Sequence, residues 1–367
     1  MLINLTEGVV NEILEQNPEF TRTLVECSDG EHQAIGYHLF VGFPRAGDRV
    51  VLNTTAVDLG LGTGGFHFIV HNKSQPWTGH ASGNGHIMKL RYTPLQFSVL
   101  SVEEEGSPFR SLLEKETSLD GMPVVVGLLH SHLTPAVLAI NWACGGNLRI
   151  AYLMTDGGAL PMGFSKQVQS LKEKKLLVGT VTVGQAFGGD LEAVNYYSGL
   201  LAAKAVLKAD ITIVAMGPGI VGTNTTYGFS GVEQGQVVNA VSALGGQPVI
   251  IPRLSFADPR PRHHGLSHHS RTILKTVILT GGWIGLPELE NRKRELVQQQ
   301  ITSAGLESRY IFVEKNTAPL TVELAKYDLK VSTMGRTYSQ DAEFFGAAWA
   351  SGLVAYDLWK NLNGNDN

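Results

Sequence analysis

The sequence predicts an α/β fold, with a doubly wound, mostly parallel sheet of Rossmann-like type preceded by a small antiparallel β-barrel or sandwich domain. Residues 1–105 form short segments that alternate apolar and polar positions, whereas from residue 123 apolar strands alternate with helical patterns. Of the 367 residues, 43% are hydrophobic and 17% are charged, which is ample material for buried cores. Because one core rarely supports so long a chain, we expect two domains, 1–105 and 123–367, joined by a linker at 106–122.

The amino-terminal part is the predicted barrel. Its alternating segments include TRTLVECSDGEHQAIGYHLFV, PRAGDRVVLN, GGFHFIVHN and GHIMKLRYTPLQFSVLSVEE. Period-two alternation with Gly, Pro, Asp and Asn between the segments is typical of antiparallel strands in a small barrel or sandwich. The sequence that follows, GSPFRSLLEKETSLDGM, is charged and rich in turn residues, and therefore predicts the linker.

The carboxy-terminal part is the predicted parallel sheet. Its strand candidates are VVVGLLH, LRIAYLMTD, GTVTVGQAF, ITIVAMG, QPVIIPRLSF, RYIFVEK and LKVSTMG. Helical patterns separate most of them, and the last is followed by the long helix SQDAEFFGAAWASGLVAYDLW. Near-continuous Val, Ile and Leu between amphipathic helices indicates parallel strands covered on both faces. About seven βα units favour a doubly wound sheet over an eight-unit barrel.

Composition narrows the cellular context. A net charge of −4 argues against a nucleic-acid partner, and HIMKLRY is the one basic hint of such binding. Two cysteines, Cys27 and Cys144, build neither a disulfide framework nor a cysteine zinc site. The sequence begins without a signal-peptide pattern and has no apolar run of about 18 residues, so we expect a cytoplasmic protein without a membrane partner.

Polar and glycine-rich loops follow most of the predicted strands. In parallel α/β folds such loops open at the carboxyl edge of the sheet, where ligands bind. Some of these glycines are explained by tight turns alone, but the aspartates that accompany them are not. The candidate ligand-binding residues in these loops are Asp156, Gly157, Gly158, Gly188, Gly189, Gly217, Gly219, Thr223, Asp258, Arg260 and Arg262.

The motif HSH supplies the candidate catalytic residues His130 and His132, which would point to the same side of a strand and could share a metal ion. Zinc needs a further protein ligand, and Asp190 in the loop FGGDLE is our candidate for it and for a general base. Two alternatives stay open. In the first, one of the two histidines would be a capping residue and the other would pack against the sheet. In the second, Asp190 would be the N-cap of a helix.

The segment GPGIVG, 217–222, matches the glycine fingerprint of dinucleotide-binding loops. However, TNTTYGFSG separates it from the next helix, no acidic residue follows at the usual distance, and Pro218 removes a backbone donor. A classical NAD site is therefore not expected. A loop of glycines and hydroxyls that binds an anion or a sugar fits this stretch better.

The segment SFADPRPRHHGLSHHSRT, 255–272, combines histidines and arginines. Ser267 is a candidate N-cap, and adjacent residues of the helix that follows diverge by about 100°, so the HH pairs do not form pincers for one ion. Arg260 and Arg262 are suited to phosphate or carboxylate. The segment therefore predicts an anion and acid–base site, with His264 as a tentative catalytic residue, although a solvated loop remains the alternative.

Several blocks together resemble a known family. These blocks are GHIMKLRYTPLQ, HSH, YLMTDGGALP, TVGQAFGGDLEAVN, MGPGIVGT, GFSG and SFADPRPRHHG. Their combination resembles the bacterial family catalogued as domain of unknown function 3866 over essentially the whole chain. The resemblance implies a bacterial, cytoplasmic protein that is a single full-length unit, and it supplies no activity, substrate or catalytic residue.

We therefore expect an enzyme that acts on a small anionic metabolite at the carboxyl edge of the sheet, with a divalent metal as one candidate cofactor. The alternative is a non-catalytic ligand-binding or assembly protein whose β domain docks a partner. In that case the apolar face of 342–359 is a candidate surface for a homo-oligomer.

Overall fold

The computed structural model describes residues 3–61, 64–75 and 85–364, and this part of the chain divides into two compact units. The first comprises the described residues of Met1–Gly83 together with Arg91–Phe97. The second comprises those of Asn84–Leu90 and Ser98–Asn367. The predicted fold class is confirmed, because the structure contains both a small barrel and a parallel sheet with helices on its faces.

Five strands of the first unit form the barrel: β1 (Leu5–Gln16), β2 (Phe20–Cys27), β3 (Gly30–Tyr37), β4 (Arg49–Asn53) and β5 (His67–Asn72). They close in the order β1, β2, β3, β5, β4. The pairs are antiparallel except that of β3 with β5, which is parallel. Inward-facing residues fill the core, among them Val10, Val25, Val50 and Leu52. Two short helices, α1 (His38–Val41) and α2 (Thr55–Asp58), complete this unit.

Two short strands, β6 (Ile87–Lys89) and β7 (Phe97–Val99), precede the large sheet in the chain. The eight strands of that sheet are β8 (Pro123–Val126), β9 (Ile150–Thr155), β10 (Gly179–Val183), β11 (Leu191–Ala193), β12 (Ile211–Met216), β13 (Gln247–Ile250), β16 (Gly282–Pro287) and β17 (Tyr310–Lys315). Two small antiparallel pairs lie outside it: β14 (Leu254–Ser255) with β15 (Gly265–Leu266), and β18 (Ser332–Thr333) with β19 (Arg336–Thr337).

The helices of the second unit are α3 (Arg110–Leu113), α4 (Leu133–Cys144), α5 (Lys166–Glu173), α6 (Tyr196–Ala205), α7 (Glu233–Ala243), α8 (His268–Thr272), α9 (Asn291–Ser303), α10 (Pro319–Lys326) and α11 (Ala342–Asn363). The helix α8 continues directly into a π-helical turn, Ile273–Val277. None of the described helices combines the length and the apolarity needed to cross a lipid bilayer.

The strand order of the sheet is β11, β10, β9, β12, β8, β13, β16, β17, and every pair is parallel. The chain leaves β8 towards β9 on one side, whereas it leaves β12 towards β13 on the other. Loops that depart in opposite directions open a crevice at the carboxyl ends of the strands. Strands that are buried along their whole length, such as β8 and β12, explain the continuous Val and Ile runs of the sequence.

The long helix α11 is the main packing element of one helical layer. It contacts α4 and the strands β8, β13 and β16, and its side chains from Phe344 to Ala355 are buried. Gly285 on β16 allows the closest approach, because a Cβ at this position would overlap the backbone at Ala350 and Ser351. A second layer contains α6 and α7, which contact each other.

Two parts of the sequence form other structures than predicted. LKVSTMG contributes the β18–β19 hairpin instead of a strand of the large sheet. In GGDLEA, the residues Leu191–Ala193 form the edge strand β11, and no helix begins at Asp190. The helix α6 begins later, with Asn195 as its N-cap. The sheet therefore gains a strand for which the sequence predicted the start of a helix.

Candidate functional site

Three histidines from one segment meet beyond the carboxyl end of β13. A nitrogen of each of His263, His268 and His269 lies within 4.8 Å of the corresponding nitrogens of the other two, and we call these residues the histidine cluster. The ring centroids lie 4.9 Å apart for His263 and His268, 5.0 Å for His263 and His269, and 4.2 Å for His268 and His269. Among the described residues, these three form the one group of His, Cys, Asp or Glu side chains that could hold a metal ion by this distance criterion.

Local structure explains why the three rings meet. Leu254 pairs with Leu266 and Ser255 with Gly265, so the β14–β15 pair folds the chain back and brings His263 beside the start of α8. Gly265 has a φ of +72°, a conformation that favours glycine over residues with a side chain. Ser267 is the N-cap of α8, as predicted, and accepts a hydrogen bond from the backbone N–H of His269.

The hydrogen bonds of the cluster leave ligand atoms available. The Ser267 hydroxyl lies 2.7 Å from Nδ1 of His263, so Nε2 is the remaining nitrogen of that ring. His268 Nε2 and His269 Nδ1 are buried atoms without a hydrogen-bond partner in the described part of the chain. Buried polar atoms of this kind normally have a hydrogen-bond partner or bind an ion or a water molecule.

The surroundings keep these imidazoles neutral. Burial and the nearby arginines, Arg253 foremost, lower the pKa of His263 to about 3. Burial and the neighbouring ring of His268 lower the pKa of His269 to about 3 as well. Burial and then Arg262 lower the pKa of His268. Neutral imidazole is the form that binds a metal ion or accepts a proton.

A second group of charges lies beside the histidines, and we call it the arginine–aspartate cluster: Arg253, Asp258, Arg260, Arg336 and Asp341. The Asp258 carboxylate accepts from Arg253 at 3.0 Å and from Arg260 at 2.8 Å, and it lies 3.6 Å from Arg336. Arg336 also donates to Asp341 at 2.9 Å. These ion pairs tie the loop after β13 to the β18–β19 hairpin.

In this cluster, burial favours the neutral form of each group, whereas hydrogen bonds and opposite charges favour the ionised form. Burial alone would raise the pKa of Asp258, but the hydrogen bonds and charge of Arg260 and the charge of Arg253 outweigh it, so the pKa lies below its ordinary value. Burial raises the pKa of Asp341 despite hydrogen bonds from Arg336 and Ser255. Burial lowers the pKa of Arg253 to about 10, which leaves it charged at neutral pH.

Other predicted loops reach the same region. The loop after β12 brings Phe229 onto His269, with ring centroids 3.8 Å apart and nearly parallel planes. Gly222, in the predicted glycine loop, lies close to the Cβ of Phe229 and to the ring of His269. Thr223 closes a tight turn with the backbone of Gly228. The loops after β12 and β13 therefore contact each other beyond the carboxyl ends of these strands.

His130 and His132 occupy different environments. His130 lies between Ser165, 2.6 Å from its Nε2, and Tyr152, 3.2 Å from its Nδ1, and burial lowers its pKa to about 4. His132 is fully buried against Phe344, with ring centroids 4.5 Å apart, and neither ring nitrogen has a partner in the described structure. The HSH motif forms a 3-10 turn here rather than part of a strand, so the two rings do not point to one common position.

Asp190 lies away from the histidines. The chain between β10 and β11 folds back, and the Asp190 carboxylate accepts from the Thr180 N–H at 2.8 Å and from Lys172 at 2.6 Å. Burial opposes ionisation, but the hydrogen bonds from Lys172 and Thr180 outweigh it and lower the pKa of Asp190. Thr180 is near the amino end of β10, so Asp190 holds this connection together at the side of the sheet remote from the carboxyl edge.

The glycine loops after β9 and β12, at the carboxyl edge of the sheet, are mostly filled by neighbouring side chains. Gly157 packs directly on Met216, Gly158 on Leu160 and Gly217 on Met154, whereas Gly219 faces open space. The cavity next to them, near Thr155 and Glu233, has a volume of about 10 Å³, room for roughly one water molecule. Asp156 lies beside Glu233 and Gly184. The N–H of Gly188 donates to the Glu192 carboxylate, and the N–H of Gly189 donates to the Thr182 hydroxyl.

His264, predicted from the same segment as the cluster, is exposed and packs edge-on against Phe256 with ring centroids 5.3 Å apart. Its backbone carbonyl accepts from Gln300. Of the two predicted arginines, Arg260 binds Asp258, and Arg262 is exposed near the histidines. The structure thus brings His263 together with His268 and His269. The helix start at Ser267 predicted that His268 or His269 is neutral, as a base or ligand must be, but not that the three rings meet. The signal that could have found the group was the density of histidines itself.

Comparison with known proteins gives one match. No curated protein and no solved structure matches the chain. The model of the family described as Protein of unknown function (DUF3866) matches residues 33–352. This span includes β4, β5 and part of β3 of the barrel, the whole parallel sheet, the histidine cluster and the arginine–aspartate cluster, whereas β1 and β2 lie outside it. The chain therefore belongs to the DUF3866 family.

Proposed function

We propose that the chain is an enzyme that acts on a small anionic metabolite with the help of a divalent metal ion bound by the histidine cluster. The observation that carries the proposal is the meeting of ligand nitrogens from His263, His268 and His269 within 4.8 Å of one another. Three histidine ligands with a fourth position open to water is the pattern of catalytic rather than structural zinc sites. Neutral imidazoles are a donor set that zinc and similar ions prefer, and His268 Nε2 and His269 Nδ1 have no hydrogen-bond partner in the described structure.

The spacing of the nitrogens supports a metal after a modest adjustment. Two Zn–N bonds of about 2.0–2.1 Å at a tetrahedral angle place the nitrogens roughly 3.3 Å apart. The rings of the cluster therefore need to turn inwards when an ion binds. His269 is held by the stacked Phe229 and His263 by Ser267, which leaves His268, the partly exposed member, as the ring with the most freedom.

The arginines explain why the substrate would be an anion. Arg253 and Arg262 help to keep the histidines neutral, and the same positive charges repel a bare dication. An anion that enters the open coordination position offsets this repulsion, so the metal and the anion favour each other's binding. An ion held by His263, His268 and His269 would supply a water molecule activated for hydrolysis at neutral pH.

A zinc titration of the purified, chelator-treated protein tests the proposal. We expect about one high-affinity ion per chain, in line with one mononuclear site. Replacing His263 or His269 by Ala should weaken binding by more than roughly 100-fold, since even indirect partners of metal ligands contribute 10- to 100-fold. His264→Ala is the matched control, because it removes an exposed histidine of the same segment.

The outcomes separate the alternatives. If zinc does not bind, or binds the His263→Ala and wild-type proteins equally, the metal site is wrong. Hydrolysis of 4-nitrophenyl phosphate that is lost both with a chelator and in His263→Ala would support the enzyme. Metal binding without hydrolysis of any ester in a panel of phosphate and carboxylate esters would instead favour a non-catalytic ligand-binding protein.

A further inference from the structure

An open pocket of about 400 Å³ adjoins the histidine cluster. Its lining is Thr226, His268, Arg271, Thr272, Lys275, Thr276, Ser303 and Ala304. The volume lies in the range of small-molecule sites, about 300–1,000 Å³. His268 belongs both to this pocket and to the cluster, so a ligand in the pocket lies next to the proposed metal position.

One face of a helix forms most of the wall. Residues 268, 271, 272, 275 and 276 follow the i, i+3, i+4, i+7, i+8 pattern that places side chains on the same side of a helix. Such a face normally packs against the core, but here every position carries a polar side chain. The segment includes the junction of α8 with the π-helical turn, and π-helical turns occur frequently at functional sites.

The two cations of this face lack anionic partners. Arg271 and Lys275 make no ion pair with any described residue, and Nε of Arg271 is a buried donor without a hydrogen-bond partner. A guanidinium donor is rarely left unsatisfied, because desolvating it without a partner is costly. In contrast, Arg260 in the neighbouring cluster is bound bidentately by Asp258.

The hydroxyl groups add to the donor set. Thr276 donates to the carbonyl of Thr272 at 2.6 Å, and Ser303 donates to the carbonyl of Gln300 at 3.1 Å, so these two hydroxyl protons are used. The side chains of Thr226 and Thr272 make no hydrogen bond within the described structure and are free to donate. The wall therefore offers two positive charges and several N–H and O–H donors, with no carboxylate among its lining residues.

We propose that this pocket binds the dianionic phosphate group of a phosphorylated small molecule. Two unpaired cations match the two charges of a phosphate monoester, and its three terminal oxygens match the surplus of donors. A carboxylate has one charge and two oxygens, and would leave part of this donor set unused. The inference rests on the proposed function insofar as it makes the phosphate compound the substrate beside the metal ion.

Calorimetric titration of inorganic phosphate into the chelator-treated protein tests the inference without a metal. We expect saturable binding, with acetate at least roughly tenfold weaker. Arg271→Ala and Lys275→Ala should each weaken phosphate binding by at least roughly tenfold, as expected for a lost charge-assisted hydrogen bond. Arg292→Ala is the matched control, because Arg292 is an exposed arginine of the nearby helix α9 that does not line the pocket.

The outcome is separable from that of the zinc titration. Arg271→Ala should keep its zinc affinity, whereas His263→Ala should lose zinc and keep phosphate. If the wild-type protein binds no phosphate, or if Arg271→Ala, Lys275→Ala and Arg292→Ala all bind it as well as the wild-type protein, the phosphate site is refuted. Phosphate binding together with a failed zinc titration would leave the pocket in place and refute the metal-dependent function. Unchanged circular dichroism of the variants excludes unfolding as the cause of a loss, and both substituted cations lie outside the core.

Discussion

Zinc binding to the histidine cluster should depend unusually little on pH. For three solvated histidines with pKa values of about 6.5, lowering the pH from about 7.5 to about 5.5 protonates every ligand and lowers zinc affinity roughly 1,000-fold. In this structure the pKa values of His263 and His269 are about 3, so neither ring binds a proton in that interval. The pKa of His268 lies below its ordinary value, so its protonation accounts for less than a tenfold loss. We therefore expect a decrease of less than about tenfold.

The measurement is a zinc titration at both pH values in the presence of a competing chelator whose own pH dependence is recorded in parallel. A short unstructured peptide with three histidines provides the reference for solvated imidazoles. His264→Ala should reproduce the wild-type pH dependence, because the side chain of His264 is exposed and outside the cluster. A decrease close to that of the peptide would refute the argument that burial and neighbouring arginines keep the cluster neutral.

Three further predictions concern stability, and all are measured by urea denaturation. Asp258→Asn should lower the free energy of unfolding by about 3–5 kcal/mol, because Arg253, only 2% exposed, loses its buried counter-charge. Arg260→Ala removes a half-exposed partner of Asp258 and should have a clearly smaller effect. Equal effects would contradict the assignment of Asp258 as the central anion. His132→Leu should stabilise the protein below about pH 6.5, because the unfolded state binds a proton there that the folded ring, with a pKa of about 3, does not. The wild-type protein therefore loses up to about 1.4 kcal/mol of unfolding free energy per pH unit from this residue as the pH falls towards 3. An unaltered pH dependence in the variant would show that His132 does not contribute in this way. Gly285→Ala should destabilise the protein by roughly 1–3 kcal/mol or more, because the added methyl group overlaps the backbone of α11, and an unchanged denaturation midpoint would show that the helix moves aside freely.

The fold class followed from the sequence because its signals are local and repeated. Continuous apolar runs predict buried parallel strands, and β8, β9 and β12 are indeed buried along their whole length. The strand β11 escaped this reasoning, because two glycines and an aspartate are equally typical of a helix start. Its position is set by Thr180, whose N–H and hydroxyl bind Asp190 from across the strand, and that pairing is not visible in the local pattern.

The three histidines that meet in the structure are not among the catalytic or metal-binding residues that the sequence predicted. The sequence argument considered each HH pair alone and expected its two rings to diverge, whereas the ring centroids of His268 and His269 lie 4.2 Å apart. In the structure His263 and the pair at the start of α8 face each other, because β14 and β15 pair across the intervening loop. Likewise, the HSH motif was treated as a strand, and the 3-10 turn that it forms sends His130 towards Ser165 and His132 towards Phe344.

The hydrogen bonds and ion pairs between the carboxyl-edge segments and the residues around the β18–β19 hairpin have a consequence for folding during synthesis. Ser131 donates to Thr333, Ser255 donates to Asp341, and Asp258 lies beside Arg336. The segments after β8 and β13 are therefore held by residues that the ribosome adds much later. During synthesis the histidines emerge first, and the loops that hold them gain these supports only after Arg336 and Asp341 have left the exit tunnel. Cofactor loading would then be a late event, which follows completion of the α/β unit instead of guiding its folding.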